Sequence, residues 1–145
     1  GLVLTNFFCP DPLCQSGIFV NNLEAVFRNS MIVGSAGDEI LLSDATRDEP
    51  DQLFDVSFDR CIVKVNELLD MEAYPEFFST LCVECIEWSF SDALFADQAE
   101  FDFHLDTLSI AEEMGRPLPG VDVDLDGVMR DVARPDIGCY ERVNE

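Results

Sequence analysis

The pattern most able to do chemistry is a run of alternating carboxylates, Asp122-Val-Asp-Leu-Asp-Gly127, followed by Asp131. Hard cations such as Ca²⁺ bind where several carboxylate oxygens converge, and acidic residues at alternate positions before a glycine are typical of the first half of an EF-hand-type loop. The position at which such a loop brings a bidentate glutamate is Ala133. Two alternatives stay open, a hydrogen-bonded Asp/Gly turn and a calcium site. The ligands of that site would be Asp122, Asp124, Asp126 and Asp131, and no other cofactor is expected.

No catalytic residue is assigned. His104 is the only histidine, and it lies between Phe103 and Leu105 on a predicted strand, where a histidine without a catalytic role is typical. Ser-His-Asp chemistry would have to use this residue, and the chain has no G-x-S-x-G motif to supply the nucleophile. The acidic residues are too numerous for any pair to be singled out for glycoside hydrolysis.

The six cysteines indicate an oxidising compartment, because an even and high cysteine count is typical of secreted domains. Cys9 and Cys14 flank the turn-rich segment Pro10-Asp-Pro-Leu13, which predicts a local disulfide. The segment Cys82-Val-Glu-Cys85 could belong to a zinc or redox site, but it lacks a second CxxC pair and a following helix. Buried or disulfide-linked cysteines are therefore the expectation there.

The charge excludes whole classes of partner. Eight basic and 30 acidic residues give a net charge of -22, and the basic residues are scattered from Arg28 to Arg142. Such a surface repels nucleic acid and anionic lipid. The sequence has no apolar run of the roughly 18 residues that span a bilayer. It opens on Gly1 with no basic segment, and so reads as a mature product or a fragment of an extracellular protein.

Three strand-like segments can be overlaid, and they are the elements that must position these groups. They are Val26-Phe-Arg-Asn-Ser-Met-Ile-Val33, Val56-Ser-Phe-Asp-Arg-Cys-Ile-Val-Lys64 and Leu81-Cys-Val-Glu-Cys-Ile-Glu-Trp88. Each reads as two short strands that meet at a polar corner. Stacked as parallel strands, they would place Phe27 over Phe58, and Met31 over Ile62 over Ile86. The strands of an antiparallel sandwich would also give such runs.

The remainder of the chain carries five blocks in a fixed order: Phe90-Ser-Asp-Ala-Leu-Phe-Ala-Asp97, Asp102-Phe-His-Leu105, Ser109-Ile-Ala-Glu-Glu-Met-Gly115, Asp124-Leu-Asp-Gly-Val-Met-Arg130 and Asp136-Ile-Gly-Cys-Tyr-Glu141. This order resembles the C-terminal region of bacterial secreted right-handed parallel β-helix, pectin-lyase-like, repeat proteins. The resemblance covers the chain from about residue 17 onward. Ala93 and Ile110 depart from it by replacing prolines, and Cys139 replaces a small alanine that is part of its ending.

The resemblance implies an all-β fold, a right-handed parallel β-helix or solenoid, with coils over residues 1–105 and a capping segment of the same domain over residues 106–145. Ser109 and Glu112 form a capping-box pattern that predicts one short helix over residues 109–114, ended by Gly115. The cap is expected to cover the open strand edges of the last coil. A thiol at Cys139 could pair with one of the three upstream cysteines, Cys61, Cys82 or Cys85, and staple the cap to the coils.

The expected function is that of a non-catalytic structural or adhesive module, the C-terminal part of an extracellular or cell-surface bacterial protein. Further coils of the same polypeptide, or another subunit, would cover the edge formed by residues 1–8, and glycans are further candidate partners. The alternative is the terminal part of a polysaccharide lyase or hydrolase whose active site lies in coils upstream of Gly1. A third reading is a small calcium-binding β-sandwich.

Overall fold

A computed structural model describes residues 1–70 and 74–143. The strands are β1 (Leu2–Thr5), β2 (Phe7–Phe8), β3 (Phe19–Val20), β4 (Leu23–Arg28), β5 (Met31–Ile32), β6 (Ile40–Ser43), β7 (Phe54–Asp59), β8 (Ile62–Val63), β9 (Cys82–Val83), β10 (Ile86–Glu87), β11 (Phe95–Asp97) and β12 (Asp102–Leu105). Two single-turn helices, α1 (Glu67–Asp70) and α2 (Phe77–Thr80), precede β9. A 3₁₀ turn over Gln98–Glu100 joins β11 to β12.

The stacking register predicted for the three repeated segments is confirmed. Strands β4, β7 and β9 form one parallel sheet in which Phe27 pairs with Phe58. Strands β5, β8 and β10 form a second parallel sheet in which Met31, Ile62 and Ile86 occupy equivalent positions. We call residues 23–70 and 74–88 the stack.

The polar corner of each repeated segment has a left-handed backbone. Asn29, Arg60 and Glu84 stand between the two strands of successive units, with φ angles of 46°, 51° and 51°. Asparagine adopts this conformation more readily than most residues, whereas arginine and glutamate adopt it only where the surrounding pairing fixes the corner. The corner is therefore a repeated backbone feature.

The right-handed parallel β-helix, expected for the fold as a whole, is wrong. The described residues form five separate small sheets, none with more than three strands, and two of them, β2–β3 and β11–β12, are antiparallel. Strands β1 and β6 pair only with each other, and α1 stands where a third unit of that sheet would be needed. A solenoid requires each unit to pair with the next around its whole circuit. This chain pairs over only part of the circuit.

The main core lies inside the stack. Phe58 is fully buried and lies 5.0 Å from Phe27 and 5.6 Å from Phe77 between ring centroids. These rings pack with the inward side chains of neighbouring strands, among them Ile40, Val56, Val63 and Cys82. Each unit on its own would leave this face exposed, so stacking is what buries it.

The tail, residues 89–143, packs along the side of the stack, and the capping role expected for residues 106–145 stays a prediction. Its buried residues Leu94, Leu105, Ala111 and Ile137 form a second core with Ile62, against which Met31 and Ile86 also pack. Asn29 ties the two regions together, because its side-chain amide donates to the Arg116 carbonyl at 2.7 Å and its side-chain oxygen accepts from the Arg116 N–H at 3.0 Å. The tail therefore covers the outer face of the β5–β8–β10 sheet.

The short helix predicted over residues 109–114 is also wrong, since that segment is a series of turns. The Ser109 hydroxyl accepts a hydrogen bond from Ala111, but Glu112 pairs with Arg142 at 2.5 Å and does not complete a capping box. Glu113 then adopts a φ of 57°, which a right-handed helix cannot accommodate. The charge pair and the left-handed residue outweigh the local helical preference.

The predicted disulfide between Cys9 and Cys14 is confirmed, with the Cα atoms 4.9 Å apart. A second disulfide joins Cys82 to Cys85. Cys61 is a buried free thiol and Cys139 an exposed one, so the staple through Cys139 does not form. Among the described residues, no helix is long and apolar enough to cross a membrane.

Candidate functional site

The four predicted calcium ligands form hydrogen bonds with different partners and do not converge on one point. Asp124 is buried, and its carboxylate accepts the backbone N–H groups of Asp126, Val128 and Glu141 at 2.8 to 2.9 Å. Burial alone would raise the pKa of Asp124, but these amides outweigh it and the pKa is lowered. The carboxylate thus stays charged while it accepts hydrogen bonds from the loop backbone.

The other three predicted ligands accept hydrogen bonds from other groups. Asp126 accepts from His104, Asp131 accepts the N–H groups of Ala133 and Arg134, and Asp122 accepts the Arg130 N–H through its backbone carbonyl. The hydrogen bond from Arg134, followed by that from Ala133, lowers the pKa of Asp131. Within residues 1–70 and 74–143, no group of three or more acidic, histidine or cysteine side chains is placed to hold a metal ion. Calcium binding stays a prediction, and the geometry favours the Asp/Gly turn.

His104 joins strand β12 to this loop. Its Nδ1 lies 2.5 Å from the Asp102 carboxylate and its Nε2 lies 2.8 Å from the Asp126 carboxylate. The ring also stacks on Tyr140, with centroids 4.1 Å apart. Hydrogen bonding to Asp126, and then to Asp102, raises the pKa of His104. The Nδ1 contact lies within β12 and the Nε2 contact joins β12 to the loop. Both ring nitrogens are therefore occupied, and neither is available as a general base in this geometry.

A second group of side chains, around Lys64, is the strongest candidate for a binding site. Lys64 follows β8, and its side chain is buried beneath the rings of two residues that follow β10. Its ammonium nitrogen lies 3.9 Å from the Phe90 ring centroid and 5.7 Å from that of Trp88. It donates one hydrogen bond, at 3.2 Å, to the Gly34 carbonyl. A desolvated ammonium over aromatic faces is a strong cation–π arrangement.

The parallel register creates this group. Trp88 continues β10, with its backbone N–H donating to the Val63 carbonyl at 2.8 Å, so it lies one strand from Lys64. Trp88 and Phe90 meet edge to face with centroids 5.0 Å apart. Phe90 remains 72% exposed, and the indole Nε1 of Trp88 is buried without an acceptor among the described residues. The site thus presents an open aromatic face above a buried ammonium group.

An open depression of about 660 Å³ lies in front of these rings. Its polar lining comes from Asn66, Glu87, Ser89 and Asp92, and its apolar lining from Trp88 and Phe90. Aromatic faces beside hydrogen-bonding groups of both kinds suit a ligand that has C–H faces and hydroxyls.

The sequence alone assigned no role to Arg60 or Lys64 of the second repeated segment, and it missed Trp88 and Phe90. The signal was present, because the overlay of the three segments sets Trp88 next to the strand that carries Lys64. Arg60 does not belong to the group around Lys64, since it pairs with Glu84 at 2.5 Å and donates to the Gly115 carbonyl at 3.2 Å. Comparison of the chain with known proteins finds no matching family model, no matching curated protein and no matching solved structure.

Proposed function

We propose that the chain is a non-catalytic adhesive module of an extracellular protein, and that it binds a neutral glycan in the depression beside Lys64, Trp88 and Phe90. The observation that carries the proposal is the exposed Phe90 ring held next to a buried ammonium group. Phe90 is 72% exposed and leaves most of its apolar surface in water, so a ligand that covers it would supply an apolar contact that the fold does not.

The charge of the molecule selects the ligand class. A net charge of -22 repels polyanions, and one buried lysine does not reverse that field. A neutral sugar chain avoids this repulsion. Its C–H faces would lie on Phe90 and Trp88, while its hydroxyls would accept from Lys64 and donate to Asp92 or Glu87.

The extracellular setting is supported by the two disulfides. Cys9–Cys14 and Cys82–Cys85 are bonded in the folded chain. Structural disulfides persist in oxidising surroundings and are rare in reducing ones. Bacterial origin rests on the sequence resemblance alone and stays a prediction.

The proposal is tested by measuring binding of the intact chain to a panel of neutral and acidic soluble glycans by titration calorimetry. We expect saturable binding to a neutral member and none to sulfated or uronate polymers. Phe90→Ala should weaken binding about tenfold or more, which corresponds to about 1.4 kcal/mol. Lys64→Met, which keeps the aliphatic length and removes the ammonium, should weaken it further.

The matched control is Phe101→Ala, since Phe101 is 80% exposed on a different turn and its loss should leave binding unchanged. Circular dichroism establishes that each variant is folded. Binding that survives Phe90→Ala, or that prefers a polyanion, would contradict the proposal. Turnover of any glycan would contradict its non-catalytic part.

A further inference from the structure

Within the described residues, strand β4, Leu23–Arg28, is an unpaired edge of the stack. It stands at one end of the β4–β7–β9 sheet. The backbone N–H of Leu23 donates to the Leu53 carbonyl, and that of Asn29 donates to the Asp59 carbonyl. Because successive residues of a strand present their N–H and C=O groups to opposite sides, the odd-numbered residues face β7. Glu24, Val26 and Arg28 therefore direct their backbone groups to the open edge.

The side chains alternate in the same way. Glu24, Val26 and Arg28 are exposed, while Leu23, Ala25 and Phe27 are half-buried and pack on the core of the stack. A partner strand must keep this alternation, because a slip of one residue would move apolar side chains to solvent. Only registers that set even-numbered residues opposite even-numbered residues are consistent with it.

We propose that two copies of this chain associate through their β4 strands, antiparallel about a two-fold axis at Val26. In this register Glu24 lies opposite Arg28 of the second copy, and the reverse pair repeats across the axis. Ala25 lies opposite Phe27 of the second copy, so a small side chain faces a large one. Sliding the strands by two residues in either direction sets Glu24 or Arg28 opposite Val26 and loses the charge pairs.

The charges in the single chain are placed for this pairing. Glu24 forms no ion pair within the described part of the chain, and Arg28 reaches its nearest carboxylate, that of Asp59, only at 3.9 Å. Opposite charges directly across an antiparallel pair stabilise it, and like charges destabilise it. The edge is thus self-complementary in charge, in size and in hydrogen bonding.

Apolar surface lies at both ends of β4. At its amino end, the β2–β3 ribbon exposes Phe8 and Phe19, with their rings stacked 5.1 Å apart. At its carboxyl end, Val121 and Met129 line an open depression of about 400 Å³ beside Arg28. Antiparallel pairing brings the amino end of one strand to the carboxyl end of the other. Each ribbon then comes to the same end of the interface as its partner's depression, which adds apolar surface that an edge pair alone lacks.

The first test is the oligomeric state of the chain by sedimentation and light scattering over a range of concentrations. We expect a dimer in which Glu24→Arg raises the dissociation constant about tenfold or more, because it replaces two attractive pairs by two repulsive ones. Arg28→Glu should do the same, and the double variant, which exchanges the two charges, should restore the dimer. The matched control is Asp55→Arg, which makes the same charge change on the same face of the neighbouring strand β7.

The second test is a cross-link at the axis. In the proposed register residue 26 lies opposite itself, with Cα atoms about 5.5 Å apart, which a disulfide can span. Val26→Cys in a Cys139→Ser background should form an intermolecular disulfide under oxidised glutathione, at least about tenfold faster than Leu41→Cys, an exposed residue on strand β6. A monomeric parent chain overturns the proposal, as does a dimer that resists Glu24→Arg and gives no cross-link at residue 26.

Discussion

In the stack, residues 23–70 and 74–88, apolar side chains of successive units lie on one another. In the tail, residues 89–143, carboxylates instead accept hydrogen bonds from backbone N–H groups. Phe27 and Phe58 stack with rings inclined by 14° inside the parallel sheets. In the tail, the buried Asp136 accepts the N–H groups of Glu113 at 2.6 Å and Arg142 at 2.7 Å. Where regular strands satisfy the peptide groups, side chains are free to pack. Where strands are lacking, side chains must provide hydrogen-bond partners for the backbone N–H groups.

The ending of the tail shows this division in detail. Arg130 pairs with Glu141 at 3.2 Å and donates to the Gly138 carbonyl at 2.7 Å, so one guanidinium closes the loop against the final segment. Gly138 has a φ of 107°, and a Cβ there would lie 2.8 Å from Met31 Cε. A side chain at this position would be strained by the backbone conformation, and Met31 would have to move to admit it.

The largest effect is expected from Phe58→Ala, which removes the centre of the stack. The loss of a fully buried phenylalanine should lower the free energy of unfolding by about 3–5 kcal/mol, measured by urea denaturation. The control is Phe101→Ala, at an exposed position. A loss below about 1 kcal/mol would show that apolar stacking does not dominate in this region.

A smaller effect is expected from Asp136→Asn in the tail. The substitution keeps the size of the side chain and removes a charge that accepts two backbone N–H groups. The free energy of unfolding should fall by about 1.5–3 kcal/mol. Hydrogen exchange should quicken at Glu113 and Arg142 while the amides of β7 keep their protection. Equal loosening of both regions would break the distinction between them.

Acidification should loosen the tail before the stack. The pKa of Asp124 is lowered in the folded chain from its ordinary value of 3.8, because the amides that it accepts outweigh its burial. The stabilisation is present above pH 3.8 and is lost as the pH falls through the lower folded pKa. Asp124→Asn should flatten this part of the plot of unfolding free energy against pH. The measurement is chemical denaturation at several pH values. If the pH dependence of the unfolding free energy is unchanged in the variant, Asp124 is not its source.

The smallest effect is expected from His104→Gln. The raised pKa of His104 means that its contribution is fully present below pH 6.5 and is lost as the pH rises through the folded pKa. The difference in melting temperature between parent and variant should therefore shrink at alkaline pH. An NMR titration of the imidazole protons gives the folded pKa directly. A value at or below 6.5 would contradict the clamp between Asp102 and Asp126.

Part of the stack was predictable because its signal is local and repeated. The overlay of three segments gave the pairs Phe27–Phe58 and Met31–Ile62–Ile86, and the turn-rich loop gave the Cys9–Cys14 bond. The β-helix was wrong because a short run of repeats indicates that units stack but not that the circuit closes. The prediction of a helix over residues 109–114 was wrong because Glu112 pairs with Arg142, from outside the segment, and not with the backbone N–H of Ser109 as a capping box requires.

The sequence by itself determined the excess of acidic residues and indicated the register of the three repeated segments, since these depend on composition and on spacing along the chain. The tertiary structure decided what each charged or aromatic side chain does. From the sequence, Asp124 could be a metal ligand or a turn residue. The structure sets the backbone N–H of Glu141, 17 residues away in sequence, within hydrogen-bond distance of its carboxylate. Lys64 and Phe90 become one site only because parallel strands set them side by side. Contacts between residues distant in sequence depend on how the chain closes in space, and spacing along the chain does not encode that.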